Sequence, residues 1–281
     1  MQKRALAVSD LSCVGRCSLT VSLPILSAGA INTAVLPTAV LSTQTDGFTG
    51  YTLRDLTDDI TPISEHLKTL SLPFSAIYAG YLASPKQAKI VQNTINLLKT
   101  PETFVLIDPV LADNGELYSG LTNESIEEMK KLCKEADLIT PNCTEAAFLL
   151  DEEYSGNLFT EDELREKLVK LSKLGAKNIV LTGICTIDGK IGAASYSKET
   201  DEMSIYEEDM AEGFFPGCGD TFASALLTAI LNGYSLFDAS KFAVSFVKKC
   251  IELTVKNGEE HKYGLCFEYA LSDICKLTEK K

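Results

Sequence analysis

The order in which two hydrophobic patterns alternate constrains the fold of this chain more than any other feature. Short β-rich runs at 5–8, 34–41, 76–79, 104–107, 137–139 and 178–181 are separated by segments of helical period at 17–27, 53–70, 85–98, 123–134, 144–150 and 161–174. Strand-then-helix repetition buries both faces of a sheet when the helices cross over it, so the expectation is a mostly parallel central sheet between two helical layers. Runs at 191–196 and 203–206, joined by the polar SKETDE, predict an antiparallel hairpin at the sheet edge. Beyond it the pattern is helical, at 221–231, 236–253 and 267–277. Without an internal repeat or a linker rich in Pro, Gly or Ser, one α/β domain over 1–281 is expected.

Open parallel sheets bind ligands beyond the carboxyl ends of their strands. Here each predicted strand is followed by polar or glycine-rich sequence. Ser9 and Asp10 follow the first and residues 43–46 the second, with Gly80 after the third and Asp108, then Asp113, after the fourth. Asn142 and Glu145 follow the fifth, Thr182 and Gly183 the sixth. These groups should converge on one edge.

The most specific segment is PGCGDT at 216–221, directly before the apolar helix pattern FASALLTAILNG. Gly217 and Gly219 let backbone N–H groups turn toward one point, and a helix N-terminus adds unpaired donors with partial positive charge. The result is an anion hole. Asp220 at its mouth reads either as a helix cap or as a carboxylate that takes the proton of a hydroxyl attacking a phosphoryl group. A bare carboxylate repels phosphate, so the second reading also requires a cation, usually Mg²⁺. TPNCTE at 140–145 places Asn142 and Glu145 on a strand-to-helix turn, suited to water-mediated contact with such a cation or, alternatively, to a capping arrangement led by Thr144. In DPVLAD at 108–113, Asp108 precedes a proline and can simply end its strand, whereas Asp113, in a loop with Asn114 and Gly115, is better placed to reach phosphate-bound metal. That company favours Asp220 as a base.

With these residues assembled, the chain resembles the ribokinase-like superfamily and, within it, the pyridoxal (vitamin B6) kinases, over nearly its whole length. GCGDT at 217–221 is similar to the family's GxGD signature, which implies that Gly217, Cys218 and Gly219 form the anion hole and that Asp220 is the catalytic base. TPNxxE and DPVLAD imply magnesium and phosphate roles for Asn142, Glu145 and Asp113, with Thr182 also on the ATP side. Ser9 and Thr45 resemble the contacts to the pyridine ring. The resemblance implies a ribokinase-like three-layer α/β/α fold with an antiparallel edge hairpin, ATP and Mg²⁺ as cofactors with room for a monovalent cation such as K⁺, and a homodimer. The expected reaction is phosphorylation of the 5′-hydroxymethyl group of pyridoxal, pyridoxamine or pyridoxine, with the loop 42–51 as candidate lid. A hydroxymethylpyrimidine (phosphate) kinase of thiamine synthesis is the nearest alternative. Such members usually carry Cys where this chain has Asp220, and sugar kinases of the superfamily carry an N-terminal GGxxxN absent here. A non-catalytic B6 sensor is the alternative from another class, and it would not need a base.

Charge and cysteines narrow the field further. With 39 acidic against 26 basic residues the net charge is −13, which repels polyanions, and no basic patch opposes it. The uncharged stretch 18–45 is broken by Pro24, Asn32 and Pro37, so no membrane span is expected. The opening MQKRALAVSD is too short an apolar segment for a secretory signal, and a cytoplasmic protein is expected. Nine cysteines then read as reduced thiols. Cys218, without a nearby histidine, matters for its backbone N–H more than for its sulfur.

Overall fold

A computed structural model describes residues 2–279. Chain order is β1 (Arg4–Ser12), α1 (Leu19–Ala28), β2 (Asn32–Leu41), β3 (Leu53–Asp55), α2 (Thr57–Thr69), β4 (Ala76–Ala79), α3 (Pro85–Leu98), β5 (Phe104–Ile107), β6 (Ala112–Asp113), β7 (Glu116–Leu117) and α4 (Asn123–Cys133). It continues with β8 (Leu138–Ile139), α5 (Cys143–Leu149), α6 (Glu161–Ser172), β9 (Asn178–Ile184), β10 (Lys190–Ser197), β11 (Glu202–Asp209), α7 (Cys218–Leu231), α8 (Leu236–Asn257) and α9 (Leu271–Lys276). Nine strands form one sheet in the order β11-β10-β9-β8-β5-β4-β1-β2-β3. Its centre is parallel, while the pairings β2–β3, β9–β10 and β10–β11 at the two edges are antiparallel.

Alternation along the strands divides the core in two. Leu6, Val8, Ile77, Val105 and Ile107 pack against α2 to α6 on one face. Ala5, Ala7, Ala76, Tyr78 and Leu106 pack against α1, α7, α8 and α9 on the other. The result is the expected three-layer α/β/α arrangement with an antiparallel edge hairpin.

Several local expectations are corrected. The segment expected to be helical over 53–70 begins with the edge strand β3, and α2 starts only at Thr57. The loop expected to carry Asp113 is a hairpin, β6 paired with β7, turned by Asn114 and Gly115 at φ 50° and 84°. Two successive positive φ angles match the Asn-Gly hairpin turn. The last predicted helix is split into a 3₁₀ turn at Phe267–Ala270, α9 and a second 3₁₀ turn at Leu277–Glu279. Among the described residues no helix is long and apolar enough to cross a membrane.

Candidate active site

The carboxyl ends of the parallel strands open into one cleft of about 1130 Å³. It is lined by Asp10, Ser18, Thr45, Asp108, Asp113, Asn142, Glu145, Thr182 and the turn from Gly217 to Asp220. Except for Ser9, the candidate site residues therefore meet in a single cavity.

Gly217 shapes the floor. It is the N-cap of α7 at φ 79°, and a Cβ there would lie 2.2 Å from the Arg16 carbonyl oxygen. A side chain is excluded by conformation and by contact alike. Thr221 anchors the turn, its hydroxyl donating to the Gly217 carbonyl at 2.8 Å. α7 starts at Cys218, three residues earlier than the expected helix at 221, which places Asp220 inside the first turn rather than at the cap. The capping reading of Asp220 is thereby removed, since no side chain caps this helix.

Asp220 is half-buried on the cleft floor, and the hydrogen bond to its carboxylate comes from the backbone of Ser18. The Ser18 amide faces it and favours its charged form. Burial outweighs that contribution, and with Asp10 nearby the carboxyl is pushed up to about 7. Asp108 is raised too, first by burial and then by Asp220; its Oδ1 accepts from the Thr140 hydroxyl at 2.8 Å. Its Oδ2 turns to the anion hole, 4.0 Å from where a Gly219 Cβ would stand. Asp108 thus belongs to the site rather than merely ending β5.

Sequence reasoning placed Asp10 at the binding edge but chose Ser9 as the substrate contact, and it missed Ser18. The β1–β2 register shifts between Ser9 and Leu11 because β2 carries an extra residue between Pro37 and Val40, and such a bulge re-aims side chains locally. Asp10 reaches the cleft, while Ser9 is buried against Gly80 with its hydroxyl 3.5 Å from Asp10 Oδ1. The Ser18 hydroxyl donates to Asp10 Oδ1 at 2.6 Å, and Ser18 holds φ 52°, a strained value for a residue with a Cβ. Gln44 was also missed. Its Nε2 donates to the Lys262 carbonyl at 2.5 Å, leaving the buried Oε1 unpartnered in the cleft wall.

Asn142, not Thr144, is the N-cap of α5. Its Oδ1 accepts from the Glu145 N–H at 2.9 Å, its Nδ2 donates to the Ala112 carbonyl at 2.8 Å, and the Asn142 N–H donates to Glu145 Oε2 at 2.8 Å. The Leu111 N–H donates to Glu145 Oε1 at 3.1 Å. Burial, followed by the Asp108 charge, holds Glu145 well above the usual carboxylate range. Asp113 is raised by burial and by Asp46 on the facing loop. Burial lifts the Cys218 thiol to about 12, the reverse of an activated nucleophile.

The residues suit Mg²⁺ in one way only. Asn142 and the Glu145 oxygens are occupied by backbone partners, and no group of three or more metal-ligating side chains exists among the described residues. Mg²⁺ keeps several waters and needs few protein carboxylates when phosphate supplies other oxygens. A hydrated ion on a phosphate chain therefore fits beside Glu145 and Asp113. The lining also calls for cations, because Lys248 is the only basic residue among many carboxylates.

Residues 28–264 match the phosphomethylpyrimidine kinase family. A hydroxymethylpyrimidine/phosphomethylpyrimidine kinase of Aquifex aeolicus is 30% identical over 71% of this chain and 76% of its own. A phosphomethylpyrimidine kinase candidate from Bacteroides thetaiotaomicron, crystallised with pyridoxal, is 37% identical with a TM-score of 0.93, covering 98% of this chain and 96% of that one. Pyridoxal kinase of Lactobacillus plantarum is 28% identical with a TM-score of 0.91, covering 99% and 98%. The chain belongs to the phosphomethylpyrimidine kinase/pyridoxal kinase family of ribokinase-like proteins, and it is an ATP-dependent small-molecule kinase.

Proposed function

We propose that the protein phosphorylates the 5′-hydroxymethyl group of a B6 vitamer, with Asp220 as the base. The observation that carries the chemistry is the raised Asp220 carboxylate in the first turn of α7, beside the glycine turn and bonded by the Ser18 backbone amide. The N–H groups of Cys218 and Gly219 offer donors to the transferring phosphoryl oxygens, and Asp220 accepts the hydroxyl proton as the oxygen attacks in line. Magnesium, when bound, supplies charge neutralisation on the phosphates, held through water by Glu145 and Asp113 with Asn142 fixing the turn. Thr182 lines the ATP side, while Thr45 and Asp10 line the acceptor side together with Gln44. The Bacteroides relative crystallised with pyridoxal supports a B6 acceptor. A single kinase domain, a lid at 42–51, a homodimer and a cytosolic location complete this proposal.

A hydroxymethylpyrimidine acceptor is the second reading, favoured by the family match and by the Aquifex relative. A kinase family leaves the binding-only sensor without support. Purified protein with ATP and Mg²⁺, given pyridoxal, pyridoxamine, pyridoxine and hydroxymethylpyrimidine in parallel, decides between the two acceptors. Transfer to the pyrimidine with none to any vitamer would overturn the B6 proposal.

A further inference from the structure

Tyr78 lies beneath the candidate base, outside the cleft lining. It sits on β4 with its side chain in the layer facing α7, and it is 2% exposed. Its hydroxyl closes no hydrogen bond, and neither does the buried hydroxyl of Ser224. The two are neighbours. Ser224 stands four residues after Asp220, which puts both on the same face of α7. In the sheet, Tyr78 is opposite Leu106, so Asp108, two residues beyond Leu106, points to the same side as Tyr78. The phenol thereby lies on the side of Asp108 and Ser224, and the charges of Asp108 and Asp220 both act on it.

A buried hydroxyl without a partner is costly, and phenylalanine would fill the same space without that cost. The polar atoms here gather under a carboxylate whose hydrogen bond comes from a backbone amide, that of Ser18, and not from a side chain. We propose that Tyr78 is a positioning residue, its hydroxyl donating to the Asp108–Asp220 carboxylate pair and accepting from Ser224, so that Asp220 is held toward the acceptor hydroxyl. One chain from Ser224 through Tyr78 to the carboxylates partners both orphaned hydroxyls. Tyr78 touches neither substrate; it acts through Asp220, and the inference rests on Asp220 being the base.

Tyr78→Phe, Ser224→Ala, the double variant and Asp220→Asn, assayed on the acceptor that the wild type turns over, test this. Tyr78→Phe should lower kcat about ten-fold, the worth of one hydrogen bond at the base. Both KM values should stay put, and the melting temperature should be unchanged or higher. Ser224→Ala should lower kcat less, and the double variant should match Tyr78→Phe alone because the two hydroxyls act in series. Wild-type kcat in Tyr78→Phe, a raised KM with kcat retained, or multiplying losses in the double variant would overturn the proposal. Should Tyr78→Phe melt early, Ser224→Ala carries the test: a lower kcat at unchanged KM supports the chain of hydroxyls, and wild-type kcat overturns it. Asp220→Asn separates the two readings. If it is inactive while Tyr78→Phe is normal, only the Tyr78 inference fails; if it turns over normally, the base assignment itself fails.

Discussion

The carbonyl oxygen of Arg16 fills the space that a side chain on Gly217 would need, 2.2 Å from an ideal Cβ. This contact presses the anion-hole turn onto the segment that leads into α1. The Arg16 N–H in turn donates to the Tyr263 carbonyl at 2.9 Å, tying that segment to the C-terminal part of the chain. Gly217→Ala should therefore be costly twice over, through its φ of 79° and through the clash. A loss of roughly 2 kcal/mol or more is expected, with kcat falling because the amides no longer converge. Urea unfolding and steady-state kinetics on the same preparation check both effects; an alanine variant of normal stability and activity would contradict this account of the turn.

Asp220→Asn keeps the shape and removes the base. A general base contributes about 10²–10⁴-fold to rate, so kcat should fall by that order while ATP binding persists. Stability should move the other way. The asparagine avoids burying a charge, so the variant should melt at or above the wild-type temperature at pH 8. A variant with much of the wild-type kcat would refute the assignment.

The raised pKa of Asp220 sets a pH window. The base works only when ionised, so kcat/KM should fall as pH drops through about 7 and level off above it. For stability the sign is opposite. The folded state binds this proton more tightly than the unfolded state, whose value is 3.8, so this group adds stability as pH falls from about 7 toward 3.8. Asp10→Asn removes a neighbouring negative charge but leaves an oxygen for Ser18, and should shift the acid limb of the rate profile toward lower pH. An unmoved limb would mean that Asp10 does not act on Asp220.

Asn142 and Glu145 were legible in the sequence as a pair with two uses, and the structure shows the capping use directly. Asn142→Ala should cost about 1 kcal/mol for the lost cap, together with the bond to the Ala112 carbonyl. Glu145→Gln tests the other use. It preserves size and one acceptor, so it should raise the Mg²⁺ concentration needed for half-maximal rate more than it lowers the melting temperature. Unchanged Mg²⁺ dependence would leave Glu145 with a structural role alone.

The layers, the strand order along the chain and the glycine turn were readable because each depends on local period or on residues adjacent in sequence. Contributions from distant segments were not. Asp10 was passed over for Ser9 at a point where an extra residue on β2 shifts the pairing, which hydrophobic alternation does not reveal. Tyr78 reads as an ordinary strand residue until α7 is laid over it. The β6–β7 hairpin had its Asn-Gly signal, but strands of two residues are too short to show a period. Ser18 takes its place from a strained backbone angle that no residue type announces.

The loop 42–51 illustrates the same limit, because the segment that anchors Gln44 and Phe48 lies more than 200 positions away. Gln44 is held to the Lys262 carbonyl, the Phe48 ring meets Tyr263 edge-on at 5.3 Å, and the Lys262 ammonium stands 5.7 Å above Phe48. Across the mouth, Asp46 faces Asp113 closely enough to raise it. Cations on the phosphates would relieve that repulsion, so a loaded site should draw the loop inward while an empty one holds it off. Removing the aromatic anchor should therefore loosen the cover without touching the chemistry. Phe48→Ala is expected to raise the acceptor KM and to increase ATP hydrolysis in the absence of acceptor, since water is then less well excluded. Asp46→Asn should do the reverse by easing closure, lowering the acceptor KM. Coupled-assay measurement of ADP release with and without acceptor distinguishes these outcomes, and an unchanged ratio in Phe48→Ala would show that the loop is not a lid.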